Sequence, residues 1–489
     1  MRSTESAELA RLAGGRLEGD GQVLVGPDVV IDARRATPGS LFVAIDGERV
    51  DGHDFTGQAA ANGAAAVLGS RTTESELPHV VVEDPVAGLS ELARSLVARE
   101  QQRGMVTLAV TGSSGKTSTK DLLAQLLEAV GPTVSPVGSF NNEIGVPLTA
   151  CGIDERTAFL VSEMGARGLG HVAWLCSITR PDVAMVLNVG TAHLGEFGSR
   201  ETIAQAKGEI IEALPAEGWA VLNADDRMVA GMAPRTAGRL AWWTRTDWAG
   251  RQGTAPAGEL HVSAVDVAPN DLQQYGFTLV VRRDGEEQRF AVQLQQLGSH
   301  QVSNALAAFT AALCAGGEPA VLAEALNAAT ARSPWRMEMT VRPDGLAVLN
   351  DAYNANPDSM RAALETFARI ARARRAADPD VRTVAVLGDM LELGEGSDEL
   401  HRALGREAAG HGLELVAVGG EAEQMVAGAR EAGGRAVAMD RDQVAQALAL
   451  SGGDAVLLKA SRGIGLEVVA EQLLASDAPQ TAPTSGDAQ

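Results

Sequence analysis

Short apolar runs ending in glycine or polar residues alternate along this chain with stretches whose apolar positions return at helical spacing. The first kind reads as buried strand and the second as amphipathic helix. Before Gly104, the runs at 29–31, 41–45 and 66–68 predict strands. A polar loop is expected at 32–39, an Ala-rich helix at 57–66, and an amphipathic helix from Leu89 to Gln102. From Val106 to about Arg332, runs at 106–110, 158–161, 182–188 and 219–223 alternate with helical stretches, which predicts a doubly wound, mostly parallel sheet. Residues 253–295 change period: apolar positions fall at every second residue, with a turn at Asp284-Gly285, so an antiparallel β appendage is expected. Beyond Ser333, runs at 346–350, 383–387, 415–418, 436–438 and 455–459 restore the α/β rhythm.

The expected architecture is therefore α/β in three domains. A small N-terminal α/β domain (1–103) precedes a central doubly wound domain with a phosphate-binding loop (104–332), and a C-terminal α/β domain (333–475) follows. The tail, 476–489, is rich in Ser, Thr, Pro and Asp and is expected to be disordered.

Charge narrows the functional classes. The 41 basic and 63 acidic residues leave a net charge of −22, which opposes approach to a nucleic-acid or anionic-membrane surface. Arg372-Ala-Arg-Arg375 is the nearest thing to a basic cluster and reads as a solvated helix face. Cys151, Cys176 and Cys314 are far apart and lack metal-ligand spacing, so they read as buried small apolar residues of a reducing compartment. The first residues carry no apolar signal core, and no apolar run approaches the ~18 residues of a membrane span. A cytoplasmic protein, monomeric, with no nucleic-acid partner and no membrane span, is expected.

The chemistry concentrates after Val106–Val110. That strand runs into Thr111-Gly-Ser-Ser-Gly-Lys-Thr-Ser118, and then Leu122, Leu123, Leu126 and Leu127 begin a helix. Strand, glycine-rich turn and helix N-terminus is how backbone N–H groups are gathered around phosphate. Gly112 and Gly115 allow the bend, Lys116 can reach the β/γ-phosphates, and the Thr117 hydroxyl can hold Mg²⁺. The longer phosphate-loop motif requires a further glycine where this chain has Val110, so the match is to the shorter T-G-x-x-G-K-T form. Glu163 and His193 follow other predicted strands, and ligands of such sheets bind beyond strand carboxyl ends. Both therefore fall on the rim that carries Lys116, as ligands suited to Mg²⁺ near phosphates.

Further stretches extend this pattern: Phe140-Asn-Asn-Glu-Ile-Gly-Val-Pro147, Asn188-Val-Gly-Thr-Ala-His193, Ala206-Lys-Gly-Glu-Ile210, His300–Asn304, Asp351-Ala-Tyr-Asn-Ala-Asn-Pro357 and Leu387-Gly-Asp-Met-Leu-Glu-Leu-Gly394. In this order the chain, from Asp32 to about Glu467, resembles the Mur ligase family, ATP-dependent amide-forming enzymes of peptidoglycan precursor synthesis. The likeness is greatest to its dipeptide-adding branch. The resemblance implies ATP, two Mg²⁺ ions, and UDP-muramoyl-tripeptide and D-Ala-D-Ala as substrates joined through an acyl phosphate. It implies that Lys116 and the loop (Gly112, Ser113, Ser114, Gly115, Thr117, Ser118) hold the ATP phosphates. Thr117 and Glu163 would ligate one metal, and His193 a second with Lys207, carbamylated by CO₂. His300, Asn304, Asp351, Tyr353 and Asn354 would lie at the adenine and ribose, and Arg336 at the γ-phosphate. Asn141 and Asn142 would face the muropeptide, Asp32 and Arg34 the UDP, and Lys459 and Arg462 the amine substrate. Without the resemblance, Lys207 is an ordinary solvated helix lysine.

The chain departs from the family's pattern at Ala33, Gln301, Trp335 and Ala460. Two alternatives stay open: a superfamily ligase adding a single amino acid or glutamates to folate, and an ATP-binding switch that ligates nothing. The motif at 387–394 and the absence of Asp-Asn-Pro-Arg favour the dipeptide-adding branch.

Overall fold

The computed structural model describes residues 1–47, 50–190, 197–248, 256–394 and 396–475. Its largest sheet has nine strands. Val106–Thr111 lies third from one edge, between Val183–Val186 and Phe159–Glu163, and is parallel to both. Its side chains from Thr107 onward are buried, as expected of a strand covered on both faces. The chain leaves this strand to build one side of the sheet, Thr133–Val134 and Phe159–Glu163, and then crosses to the other, Val183–Val186 and Trp219–Asn223. The reversal opens a crevice at the carboxyl end of Val106–Thr111, where the glycine-rich loop begins.

The β-rich stretch is not a separate appendage. Leu260–Pro269 pairs in parallel with Arg239–Thr244, and Gln274–Arg283 and Glu286–Leu297 continue antiparallel from it. The period-two pattern showed three strands, but it could not show that the first has a partner in the central sheet. The buried helix His300–Cys314 then crosses beneath that sheet, Val302, Leu306 and Phe309 packing into its main apolar cluster.

The C-terminal sheet has six strands. Ala347–Asn350, Ala455–Lys459, Thr383–Gly388, Glu414–Val418 and Ala436–Ala438 are parallel neighbours. Glu338–Val341 adds an antiparallel edge strand that the hydrophobic pattern had not revealed. The long helix Pro357–Ala377 starts at a capping box, Asn356 with Ser359, and has proline in its first turn. Its far end corrects the reading of the 372–375 stretch in part, at Arg374 and Arg375. Arg374 donates to the carbonyls of Gly345 (2.9 Å), Gly453 (2.8 Å) and Asp454 (3.2 Å), and Arg375 to Gly412 (2.8 Å). Arg374 and Arg375, half-buried, tie loops to the helix, while Arg372 is exposed as expected of a solvated face.

A five-stranded N-terminal sheet is built around Leu41–Val43 and Ala66–Gly69. The Ala-rich helix between them is shorter than expected, Thr56–Ala61. Pro85–Gln101, capped by Asp84, lays Leu89, Leu92 and Leu96 into a cluster that also contains Cys151, Leu160 and Ile178. The N-terminal and central sheets therefore share one apolar seam. Cys151 and Cys176 are buried and Cys314 is half-buried against the core, and burial pushes all three thiols up, the first two to about 12. Among the described residues, no helix is long and apolar enough to cross a membrane. The tail from 476, expected to be disordered, lies outside the described residues.

Candidate active site

Gly115 ends the turn at φ +81° and caps the helix Lys116–Glu128 without any side-chain cap. The first N–H groups of that helix are left for a ligand, with the positive end of its dipole. Only glycine fits: a Cβ here would combine left-handed strain with an approach of 2.5 Å to Asn304 Oδ1. Asn304 is held in turn, its amide donating to Gln301 (2.9 Å) and its oxygen accepting from Thr119 (3.3 Å). Asn188, not singled out from the sequence as a site residue, accepts from Ser113 N (3.0 Å) and Ser114 N (3.0 Å) and so fixes the first half of the loop. Lys116 Nζ folds back onto Gly112 O at 2.8 Å. Burial lowers its pKa, opposed by Glu163 and reinforced by Arg336.

Glu163 is fully buried at the end of Phe159–Glu163. One oxygen accepts from Ser139 Oγ and Asn141 Nδ2, each at 2.8 Å, and the other has no hydrogen-bond partner. A buried carboxylate oxygen left over beside a phosphate loop suits a hard cation. Asn142 instead accepts from Gly145 N (2.8 Å), bracing the helix Gly145–Ala150.

Lys207 sits in the helix Arg200–Glu212 and is only 3% exposed. It is not the solvated lysine expected of a helix face. Desolvation holds its pKa well below the ordinary lysine value, and the neighbouring charge of Lys116 pushes the same way. His193 lies outside the described residues. Among those described, no group of three or more His, Cys, Asp or Glu side chains could hold a metal ion.

The opposite wall comes from the C-terminal sheet. The segment leading to it is strapped to the phosphate-loop helix: Gln125 and Thr330 exchange two hydrogen bonds of 3.0 Å, Arg332 pairs with Glu128, and Ser333 N donates to Asp121. Arg336 follows, between Trp335 (φ +58°) and Met337 (φ +51°), two left-handed non-glycine residues. Its guanidinium donates to Thr117 Oγ1 at 2.9 Å and lies 4.1 Å over the Tyr353 ring. Lys459, 2% exposed, pairs with Asp351 at 2.7 Å and donates to Asn354 O at 2.9 Å. His300 faces these groups from the central side. Desolvation pulls its pKa to about 4; Asp351 opposes that pull, and Lys459 and Arg245 add to it.

These side chains line one cavity of about 440 Å³, within the range of small-ligand sites. Ser113–Ser118, Asn141, Asn142, Glu163, Lys207, His300, Asn304, Arg336, Asp351, Tyr353, Asn354 and Lys459 all contribute. Asp32, Arg34 and Arg462 do not. Asp32 and Arg34 pair with each other at 2.7 Å on the surface of the N-terminal sheet. Arg462 stacks 4.2 Å over Trp335 and pairs with Glu467. Arg245, Arg167 and Glu392 also line the cavity. The strand-end rule that found Glu163 would have found Arg245, which follows Arg239–Thr244. In a chain of net charge −22, this gathering of cations marks a receptor for a polyanion.

Three family models match the chain in order: "Mur ligase family, catalytic domain" over 28–97, "Mur ligase middle domain" over 110–312, and "Mur ligase, glutamate ligase domain" over 335–462. A Mycobacterium tuberculosis protein named UDP-N-acetylmuramoyl-tripeptide--D-alanyl-D-alanine ligase is 40% identical, the match covering 92% of each chain. The crystal structure of MurF from Acinetobacter baumannii superposes with a TM-score of 0.81 at 28% identity, over 97% of this chain and 100% of that one. That of MurF ligase from Thermotoga maritima in complex with ADP gives 0.72 at 29% identity, over 91% and 97%.

Proposed function

The chain belongs to the Mur ligase family, and from that premise we propose that it joins D-alanyl-D-alanine to UDP-N-acetylmuramoyl-tripeptide at the expense of ATP. The observation that carries the reading is a single cavity in which an uncapped phosphate loop, buried lysines and an arginine from the C-terminal sheet converge.

A carboxylate does not condense with an amine in water, because its oxygen is a poor leaving group. In the proposed reaction the carboxylate oxygen attacks the γ-phosphorus, ADP leaves, and an acyl phosphate forms. The amine then attacks the carbonyl, and the tetrahedral intermediate expels phosphate. The protein's part is alignment and neutralisation of charge. Lys116 and the helix N-terminus hold the phosphates. Arg336, already on Thr117, offsets charge at the γ-phosphate. The wall carrying Asp351, Tyr353 and Asn354, with His300 and Asn304 facing it, holds the nucleoside. Asn141 and Asn142 face the muropeptide, and the first 103 residues, around Asp32 and Arg34, hold its UDP end. Lys459 and Arg462 stand on the amine side, Lys459 from the cavity wall and Arg462 beyond it.

Glu163 and Thr117 would hold one Mg²⁺, and His193 with a carbamate on Lys207 a second; the ions would supply positive charge to the phosphates. The unpartnered oxygen of Glu163 supports the first site. The lowered pKa of Lys207 supports the carbamate, since CO₂ adds to a neutral amine. Closure of the 333–475 unit over the central sheet would complete the ATP site and exclude water from the acyl phosphate. The proposed enzyme would act in the cytoplasm, and as a monomer.

Mass-spectrometric identification of the product formed from ATP, UDP-muramoyl-tripeptide and D-alanyl-D-alanine tests the reading. A pentapeptide product with ADP and phosphate is expected. ATP hydrolysis without ligation would favour a switch, and preference for a single amino acid another ligase.

A further inference from the structure

Three arginines line the cavity, and two of them are engaged. Arg167 pairs with Glu143 at 3.0 Å, and Arg336 donates to Thr117 Oγ1 at 2.9 Å. Arg245 is half-buried, and its guanidinium makes no hydrogen bond or ion pair among the described residues. Its backbone is nevertheless fixed. Asp225 accepts from Thr244 Oγ1 (2.6 Å) and from Arg245 N (2.7 Å), where the chain leaves the strand Arg239–Thr244. A held backbone with free donors on a cavity wall suits recognition of a ligand.

The sheet narrows which ligand this is. Val106–Thr111, Val183–Val186, Trp219–Asn223 and Arg239–Thr244 are parallel neighbours in that order. Their register sets Thr111, Val186, Leu222 and Trp242 level, so Ser114 and Arg245 each stand three residues beyond that line. Three strand spacings separate the two, about 14 Å, which is the reach of a nucleotide and not of a phosphate group. The helix His300–Cys314 spans the interval: Asn304 abuts Gly115, and His300, one turn earlier, feels the charge of Arg245. The proposed UDP end of the muropeptide belongs to the other flank. Leu160, in the apolar seam shared with the N-terminal sheet, lies on the side of Val106–Thr111 away from Arg245. A guanidinium meets a purine through its π face and its N7 acceptor.

We propose that Arg245 is a nucleotide-binding residue, holding the base end of ATP while the phosphate loop holds the other. This rests on the ligase reading above and adds a residue to its nucleotide site.

Calorimetric titration of Arg245→Ala with ADP, beside steady-state kinetics, tests it. Affinity for ADP should fall about tenfold, and KM for ATP should rise in step, with KM for D-alanyl-D-alanine and muropeptide moving far less. The preference for ATP over CTP in kcat/KM should narrow, because the lost contact is to the purine. Arg245→Lys keeps the charge without the planar guanidinium, should recover part of the loss, and serves as the second variant if the first does not fold. Unchanged ADP affinity in a folded variant would overturn the proposal. Equal losses with ATP and CTP would overturn it by moving Arg245 to the phosphates, and a rise confined to the dipeptide KM by making it a carboxylate anchor. If the unsubstituted chain itself binds no ADP, the ATP reading fails and takes this inference with it.

Discussion

On the central-sheet wall of the cavity, one oxygen of Glu163 is buried without a partner, and the charge that bears on buried Lys207 is the like charge of Lys116. On the C-terminal wall, Asp351 and Lys459 neutralise each other at 2.7 Å, and Arg336 is stacked on Tyr353. The first wall has uncompensated electrostatic capacity that a polyanion and cations can satisfy. On the second, the Asp351–Lys459 pair is satisfied internally, whereas Arg336 has a buried Nε without a partner and keeps its charge for a ligand. Substitutions should therefore cost activity on the first wall and stability at the Asp351–Lys459 pair of the second.

The largest separation is expected at Lys116→Ala. It removes a charge from the transferring phosphoryl group and no partner from a core, so ligation should fall by about 10³-fold or more while the fold persists. Turnover measured beside circular dichroism checks this; near-normal turnover in a folded variant would remove the phosphate assignment. Lys207→Ala comes next. If the lysine acts as a carbamate, activity should drop by about 10²-fold and return in part with added short carboxylates, which supply the missing anion. Loss without rescue would make Lys207 a cation at work, not a masked anion.

On the other wall, Asp351→Asn leaves the Lys459 ammonium buried and unpaired. A destabilisation of about 3 kcal/mol is expected, read as a lower midpoint in thermal or urea unfolding. A midpoint equal to that of the parent chain would mean that the pair is dispensable and the contrast between the walls is false.

The smallest effect belongs to His300, which faces both walls. Its pKa is lowered from 6.5 to about 4, so the folded state favours neutral imidazole. Between those values the unfolded chain binds the proton more readily, and stability should decline as pH falls from about 6.5 to about 4, then level off. His300→Asn should flatten that part of the melting-temperature profile. A slope that survives the substitution would assign it to other groups.

Much of the fold was legible because strand and helix leave short-range periods in a sequence. The runs at 383–387 and 455–459 appear as Thr383–Gly388 and Ala455–Lys459 almost residue for residue. The phosphate loop was legible for a similar reason: glycine, lysine and threonine are needed at fixed spacing where a strand meets a helix. The rule of strand carboxyl ends then put Glu163 on the same rim as Lys116, and both line the cavity.

Other features depend on partners distant in sequence, which no local pattern encodes. Lys459 and Asp351 meet across 108 positions, and only their meeting makes the lysine buried and neutralised. Arg374 looked solvated until the sheet brought the carbonyls of Gly345 and Gly453 to it. The hairpin strands were plain in the sequence, yet the free edge of Arg239–Thr244 decided where they attach. Lys207 shows the division most clearly. Its helix could be read from periodicity, but its desolvation comes from everything packed around it, and desolvation is what changes its chemistry.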